Sequence, residues 1–229
     1  MDWTTPVDIY CERLGPQFWA EPVNAITNLS FILGAIWAWI EARRRDEPNP
    51  LIWVLIALAA GIGVGSFLFH TFANRWSALA DVLPIWIFVA LYCLVALNRL
   101  GGIRPGRILA GLGVLIAAAA IYVAMGEGGG ATEPTPRGPD PFNGSLQYLP
   151  ALIAFVFFIA LMQFRGHPMR NWALAAGLVF VASLVARTID RDICAAIPLG
   201  THFLWHVLNG LMIGLVLQIL IRSPRPNAT

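Results

Sequence analysis

The sequence contains no lysine, since all 15 of its basic residues are arginine. It is also poor in charge: charged residues make up 12% of the 229 residues, against about 25% in soluble domains, while 58% are hydrophobic. Without lysine, no retinal Schiff base can form, which excludes a rhodopsin-like light sensor. The net charge of +2 is too small to favour nucleic-acid binding. The composition predicts an integral membrane protein in one domain, residues 1–229.

The beginning of the chain lacks the positive charge and apolar run of a signal peptide. Residues 1–21 carry four acidic side chains against the single Arg13, whereas a signal peptide starts basic. We therefore expect residues 1–21 to form an extracytoplasmic N-terminal segment and the first apolar span to remain as a helix.

Apolar runs near the length of about 20 residues that crosses a bilayer predict an all-α bundle of seven transmembrane helices. The runs are Asn24–Ala42, Leu51–Phe72, Ala78–Leu97, Arg107–Met125, Leu146–Phe164, Asn171–Arg187 and Leu199–Ile221. Residues 126–145 are rich in Gly and Pro and poor in aliphatic side chains, which is typical of a flexible aqueous loop.

Arginine distribution predicts the orientation. With the N-terminus outside and the C-terminus inside, the inner segments hold twice as many arginines as the outer ones, as the positive-inside rule requires. The use of arginine alone, together with abundant alanine, suggests a GC-rich bacterial genome, and we expect a bacterial inner membrane. Residues 126–145 would then be extracytoplasmic.

Two motifs carry histidines at helical spacing. Ser66 and His70 lie four residues apart in the second span, and His202 and His206 lie four apart in the seventh, so each pair shares a helix face. Asp81 falls one turn inside the third span. In the predicted orientation all five residues lie near the outer surface. Ionisable side chains within membrane helices are costly and mark functional sites.

Three imidazoles with an open fourth position are the ligand set of a catalytic zinc ion. We expect His70, His202 and His206 to bind zinc, which activates a water molecule as nucleophile. Asp81 would act as the general base that takes a proton from this water, and would later pass that proton to the leaving group. Ser66 would hydrogen-bond the water or the developing oxyanion. The motifs thus predict a hydrolase embedded in a bilayer, whose lipid substrate needs an apolar cavity inside the bundle.

Each of these residues also has a structural interpretation. A buried histidine in a helix is often only a satisfied hydrogen-bonding group. Asp81 could cap the third span, and Ser66 could serve close helix packing beside the glycines of its own span. A haem b ligated by two histidines is the main metal alternative, although it leaves the third histidine, Ser66 and Asp81 unexplained.

The three cysteines differ in position. Cys93 lies inside the third span and is expected to be an inert apolar side chain. Cys11 and Cys194 both fall in outer segments, where oxidation is possible.

Several of these motifs together resemble the alkaline ceramidases, which belong to the CREST superfamily of seven-helix membrane hydrolases. The resemblance rests on Gly65–His70 followed by Asp81, on Arg187–Asp190 and on His202–His206. Two N-terminal stretches fit as well, namely Tyr10-Cys11-Glu12 and residues 21–28. The resemblance covers essentially the whole chain.

The resemblance implies zinc at the three histidines, assisted by Ser66 and Asp81, and hydrolysis of the amide bond of ceramide to a sphingoid base and a fatty acid. Another N-acyl lipid would suit the same chemistry. The resemblance further implies a disulfide between Cys11 and Cys194. Some members bind calcium through N-terminal side chains; the corresponding acidic residues here are Asp8, Glu12 and Glu21.

The match to that calcium site is poorer than the match to the zinc site. Asp8 is one residue further from Cys11 than in the family, and Leu14 stands where asparagine is expected. Rival functions are a receptor of the same superfamily with a structural zinc site, a bis-histidine haem protein, and a seven-helix transporter. No nucleic-acid or protein partner is indicated.

Overall fold

The computed structural model describes residues 2–111, 113–114 and 140–224. Seven α-helices lie entirely within these residues. The only β-structure among them is an isolated bridge between Pro6 and Asn74. The helices are α1 Pro22–Thr27, α2 Leu29–Arg44, α3 Pro50–Phe72, α4 Arg75–Arg99, α5 Leu149–Phe164, α6 Arg170–Ile189 and α7 His202–Arg222. Single 3₁₀ turns precede α5 (Ser145–Tyr148) and follow α6 (Arg191–Ile193).

Six helical segments are long and apolar enough to cross a membrane: Pro22–Arg44, Pro50–Phe72, Arg75–Arg99, Ser145–Phe164, Arg170–Ile189 and His202–Arg222. These segments match six of the seven predicted spans within a few residues. The fourth predicted span, Arg107–Met125, lies largely outside the described residues, although residues 105–111 and 113–114 are helical. Of the predicted loop 126–145, only residues 140–145 are described. The prediction of an all-helical membrane protein is confirmed.

A tight turn between α3 and α4 sets the position of the site. Helix α3 ends on Ala73, which adopts a left-handed conformation with φ of 43°. Asn74 then caps α4, because its side chain accepts from the Ser77 N–H at 3.1 Å while Ser77 Oγ accepts from the Asn74 N–H. The two helices are therefore antiparallel neighbours, and the last turn of α3 lies beside the first turns of α4. The interpretation of Asp81 as the cap of α4 is wrong, because Asn74 occupies that position.

Gly65 allows α3 and α4 to approach closely. A Cβ atom at this position would lie 2.1 Å from the carbonyl oxygen of Ala80. Pro84, inside α4, has no N–H to bond that carbonyl, so the Ala80 oxygen is free to face α3. The residue after it, Asp81, is thereby brought against the face of α3 that carries Ser66.

Helix α7 is the central helix of the bundle. In its most apolar stretch 67% of the residues are buried, compared with 11% in the corresponding stretch of α4. It packs against α2 and α6, and the contact with α2 depends on Gly210, whose Cβ position is occupied by Ser30. His202 is the first residue of α7, three residues later than the predicted start of this span. Both histidines of α7 therefore lie at its N-terminal end.

Candidate metal centre

Three buried histidines from two helices converge at one end of the bundle. His70, in the last turn of α3, and His202 and His206, in the first turns of α7, are each no more than 2% exposed. One ring nitrogen from each lies within 4.8 Å of the others, and the Nε2 atoms of His70 and His206 are 3.1 Å apart. Among the described residues this is the one cluster of three or more histidine, cysteine or acidic side chains arranged to hold a metal ion.

The outer ring nitrogens of two histidines have hydrogen-bond partners. Nδ1 of His70 lies 2.6 Å from Glu21 Oε2, and Nδ1 of His206 lies 3.1 Å from Thr27 Oγ1. The Thr27 hydroxyl donates to backbone carbonyls of α1, so it accepts from His206. A carboxylate can only accept. These partners place a proton on Nδ1 in both rings, so that in the neutral form of each ring Nε2 carries the lone pair that a metal ion would bind.

This arrangement fits a metal ion. Two lone pairs that face each other across 3.1 Å repel unless a proton or a metal cation lies between them, and a metal cation fits the distance well. Tetrahedral zinc with bonds of about 2.0–2.1 Å places its nitrogen ligands about 3.3 Å apart. His202 Nδ1 is buried without a hydrogen-bond partner, which leaves a nitrogen of the third ring free. The donor set, three neutral imidazoles, is one that zinc prefers.

The same geometry argues against haem. The ring centroids are 4.6 Å apart for His70 and His206, 4.6 Å for His202 and His206, and 5.2 Å for His70 and His202. A porphyrin plane needs its two axial imidazoles on opposite faces with the macrocycle between them, and rings this close leave no room for it.

Ser66 and Asp81 lie together, as the close contact at Gly65 requires. The Ser66 side chain is close enough to the Asp81 carboxylate to influence its charge, and His70 contributes to the electrostatic field at Asp81. Ser66 is buried one turn before His70, on the same face of α3. Asp81 is only partly buried. The structure therefore brings all five predicted site residues to one end of the bundle.

Glu21 connects the N-terminal segment to the histidines. Besides His70, it pairs with Arg13 through a short contact and accepts from Asn24 Nδ2 at 3.1 Å. Arg13 in turn donates to the His70 carbonyl at 2.9 Å. Burial alone would raise the pKa of Glu21, but the hydrogen bonds from His70, Arg13 and Asn24 hold it below its ordinary value. Glu21 is thus an anion that fixes the orientation of His70.

The proposed calcium ligands do not fit a calcium ion in this arrangement. Arg13 already neutralises Glu21, and Glu12 accepts the Val23 and Asn24 N–H groups at 2.7 and 2.8 Å. Asp8 is exposed. Among the described residues these three carboxylates do not form a cluster that could hold a metal ion, whereas calcium requires six to eight oxygen ligands around one point.

Asp190 belongs to the Arg187–Asp190 motif, but its structural role was not predicted from the sequence. It is fully buried and accepts from the N–H groups of Thr201 at 2.7 Å and His202 at 2.8 Å through one oxygen, and from Cys11 at 3.2 Å through the other. It therefore holds the N-terminus of α7. Tyr10, equally unpredicted, stacks on His202 with ring centroids 3.5 Å apart.

A disulfide joins Cys11 to Cys194 across 183 residues. It ties the N-terminal segment to the loop between α6 and α7, next to Asp190. Cys93 is a free thiol in α4.

An apolar cavity of about 100 Å³ lies inside the bundle. It begins at Tyr148 and Trp205, next to the histidines, and reaches Ile219, which is about 20 Å further along α7. Aromatic side chains of α4 and α5 form much of its wall, including Phe88, Tyr92, Phe155 and Phe158. An apolar cavity of the kind that a lipid chain needs is therefore present among the described helices, and one end of it is lined by residues beside the histidines.

Comparison with known proteins agrees with this geometry. No curated protein matches the chain. A family model described as Ceramidase matches residues 9–225, which is nearly the whole chain. The match includes both histidine motifs, Ser66, Asp81 and both cysteines of the disulfide. The chain therefore belongs to the ceramidase family.

Proposed function

We propose that this protein is a zinc-dependent hydrolase that cleaves the amide bond of ceramide, or of a related N-acyl lipid, within the membrane. The products are a fatty acid and a sphingoid base or other amine. The observation that carries the proposal is the convergence of three buried imidazoles at the end of the bundle where Ser66 and Asp81 are neighbours. The family match supports the same reaction class.

Each residue of the site has a separate role in the proposed reaction. His70, His202 and His206 would hold a zinc ion, which would supply a Lewis acid and activate water for attack on the amide. Asp81 accepts the proton from the attacking water and passes it to the amine that leaves. The Ser66 hydroxyl, which neighbours Asp81, would donate a hydrogen bond to the carboxylate and keep it in place. Glu21 and Thr27 orient the rings of His70 and His206 from behind.

The lipid approaches from the bilayer. The apolar cavity that starts at Trp205 suits one hydrocarbon chain, and leaves the amide at the end of the bundle where the histidines lie. We infer that this end faces the extracytoplasmic side and that the substrate comes from the outer leaflet. The arginine bias and a disulfide at this end, which forms in oxidising compartments, support that orientation.

Removal of the proton-transfer pair tests the mechanism. We expect Asp81→Ala to lower turnover of a short-chain ceramide by roughly 10²–10⁴-fold, the usual contribution of a general base, and Ser66→Ala to lower it less. Both variants should retain zinc, because neither residue is a ligand. Product release by the purified protein, measured alongside metal content, gives both quantities.

Two matched variants serve as controls. Ser183→Ala removes a buried helical serine that bonds only the Phe180 carbonyl, and Asp192→Ala removes an exposed carboxylate; both should keep full turnover. If Asp81→Ala and Ser66→Ala also kept full turnover, the assigned roles would be wrong. Zinc binding with no hydrolysis of any N-acyl lipid by the wild type would instead favour a receptor-like protein.

A further inference from the structure

Arg187 is a buried cation without a carboxylate partner, and it lies at the candidate site. It is in the last turn of α6 and is 5% exposed. The other two buried arginines of the described residues are paired: Arg13 with Glu21, and Arg99 with Glu47 at 2.9 Å. In this part of the chain, no carboxylate comes within ion-pairing distance of Arg187.

The hydrogen bonds of Arg187 leave part of its guanidinium unused. Nη1 donates to the Asn143 carbonyl at 2.6 Å, and the guanidinium lies beside the Tyr148 side chain. Nε is buried and has no partner among the described residues. An arginine has five N–H donors in a fixed plane. Both partners here are neutral, so the positive charge itself is not compensated by direct contact.

Aromatic rings enclose this charge. The guanidinium carbon lies 5.9 Å from the ring centroid of Tyr10, 5.6 Å from that of Tyr148 and 5.6 Å from that of Trp205. These distances are in the range of cation–π contact. The rings exclude water, which strengthens the attraction of the cation for any anion that enters.

The same rings place Arg187 next to the reacting groups. Tyr10 stacks on His202, and Trp205 lies between His202 and His206 in the sequence of α7. The carboxylates of Asp81 and Asp190 both contribute to the electrostatic field at Arg187, although neither forms an ion pair with it. Trp205 and Tyr148 also line the start of the apolar cavity. A lipid whose hydrocarbon chain fills the cavity therefore has its head group beside Arg187.

We propose that the substrate is an N-acyl lipid with an anionic group, a carboxylate or a phosphate, close to its amide, and that Arg187 binds this group. A buried charge is costly unless it is paired, and a ligand anion would supply the missing partner. The planar guanidinium matches the two oxygens of a carboxylate or phosphate. This inference rests on the proposed amide hydrolysis and narrows its substrate class.

Three substrates with the same acyl chain test the preference of the full-length protein in detergent micelles. They are ceramide, which is neutral, ceramide 1-phosphate, and the corresponding N-acylglycine, which carries a carboxylate. We expect kcat/KM for at least one anionic substrate to exceed that for ceramide by roughly 10-fold or more, the effect of hydrogen bonds to a charged group. Comparison of the two anionic substrates distinguishes phosphate from carboxylate.

Variants of Arg187 assign the preference to this residue. Arg187→Gln should abolish the advantage of the anionic substrate, mainly through a higher KM, and Arg187→Lys should keep part of it. Arg191→Gln, which removes an exposed arginine just beyond α6, should leave the ratio unchanged. The ratio between substrates is the readout, because a merely structural role would lower all three rates by the same factor.

The outcomes separate this inference from the proposed function. If the wild type cleaves ceramide as well as or better than both anionic substrates, or if Arg187→Gln leaves the ratio unchanged, the inference is wrong while amide hydrolysis stands. If no substrate is cleaved by the zinc-loaded wild type, the proposed function fails as well. If Arg187→Gln does not fold, the ratio of kcat/KM for anionic substrates to that for ceramide in the wild type still tests whether the protein prefers an anionic lipid.

Discussion

Glu21 connects the N-terminal segment to the five-residue site and fixes the orientation of one of its histidines. One of its oxygens meets Arg13 and the other meets His70 Nδ1. A carboxylate behind a metal-binding histidine fixes the tautomer and makes the ring a stronger ligand. The sequence suggested only calcium binding for Glu21, because its partner His70 lies 49 residues away and no periodic pattern connects the two.

Replacement of Glu21 by glutamine tests this role. Glu21→Gln keeps the size of the side chain but removes the anion that His70 and Arg13 share. We expect zinc affinity to fall by roughly 10- to 100-fold, as is usual when such a partner is lost, measured by competition with a chelator. Glu41→Gln, at a buried glutamate that pairs with Arg45 and Arg222 instead, is the control. Equal zinc affinity in wild type and Glu21→Gln would contradict the assignment.

Among the helices, α3 carries two of the five site residues and meets α4 at Gly65. The helical spacing of Ser66 and His70 was readable from the sequence, since it depends only on local geometry. The distance from Ser66 to Asp81 was not, since it depends on the tight turn at Ala73 and on the carbonyl left free by Pro84. Arg187 was likewise not predicted as a site residue, because its aromatic neighbours come from three separate segments.

Two glycines of α3 offer a matched test of that contact. Gly65→Ala places a methyl group against the Ala80 carbonyl and should cost roughly 1–3 kcal/mol, with a loss of turnover as Asp81 is displaced. Gly61→Ala, one turn away, meets no described atom within 4 Å and should raise stability by up to about 1 kcal/mol, because alanine favours the helix. Melting temperatures and turnover rates of both variants test whether the close contact at Gly65 matters for stability and activity. Similar melting temperatures and activities for the two would show that the close approach is unimportant.

For the molecule as a whole, the disulfide and the arginine bias point to the same orientation. The spans could be predicted because length and hydropathy are local properties, and six of them correspond to helices that are long and apolar enough to cross a membrane. The side of the membrane depends on the whole chain, as does the pairing of Cys11 with Cys194. That pairing followed from the resemblance to a known family and is present in the structure.

Cysteine labelling tests the orientation. In a Cys93→Ala background, which leaves only the disulfide cysteines, we expect a membrane-impermeant maleimide to label intact spheroplasts after reduction and not before it. Label would appear on Cys11 or Cys194 without permeabilisation, since both lie in outer segments in this orientation. Labelling that required permeabilised membranes would place the site on the cytoplasmic side.

The metal content of the purified protein tests the central claim most directly. The account predicts about one zinc ion per chain in the wild type, and its loss in His70→Ala and in His206→Ala. His167→Ala, at the fourth histidine, which lies outside the cluster, should keep the metal. A wild-type protein that folds and binds no zinc, or one that keeps its zinc when His70 and His206 are replaced, would contradict the account.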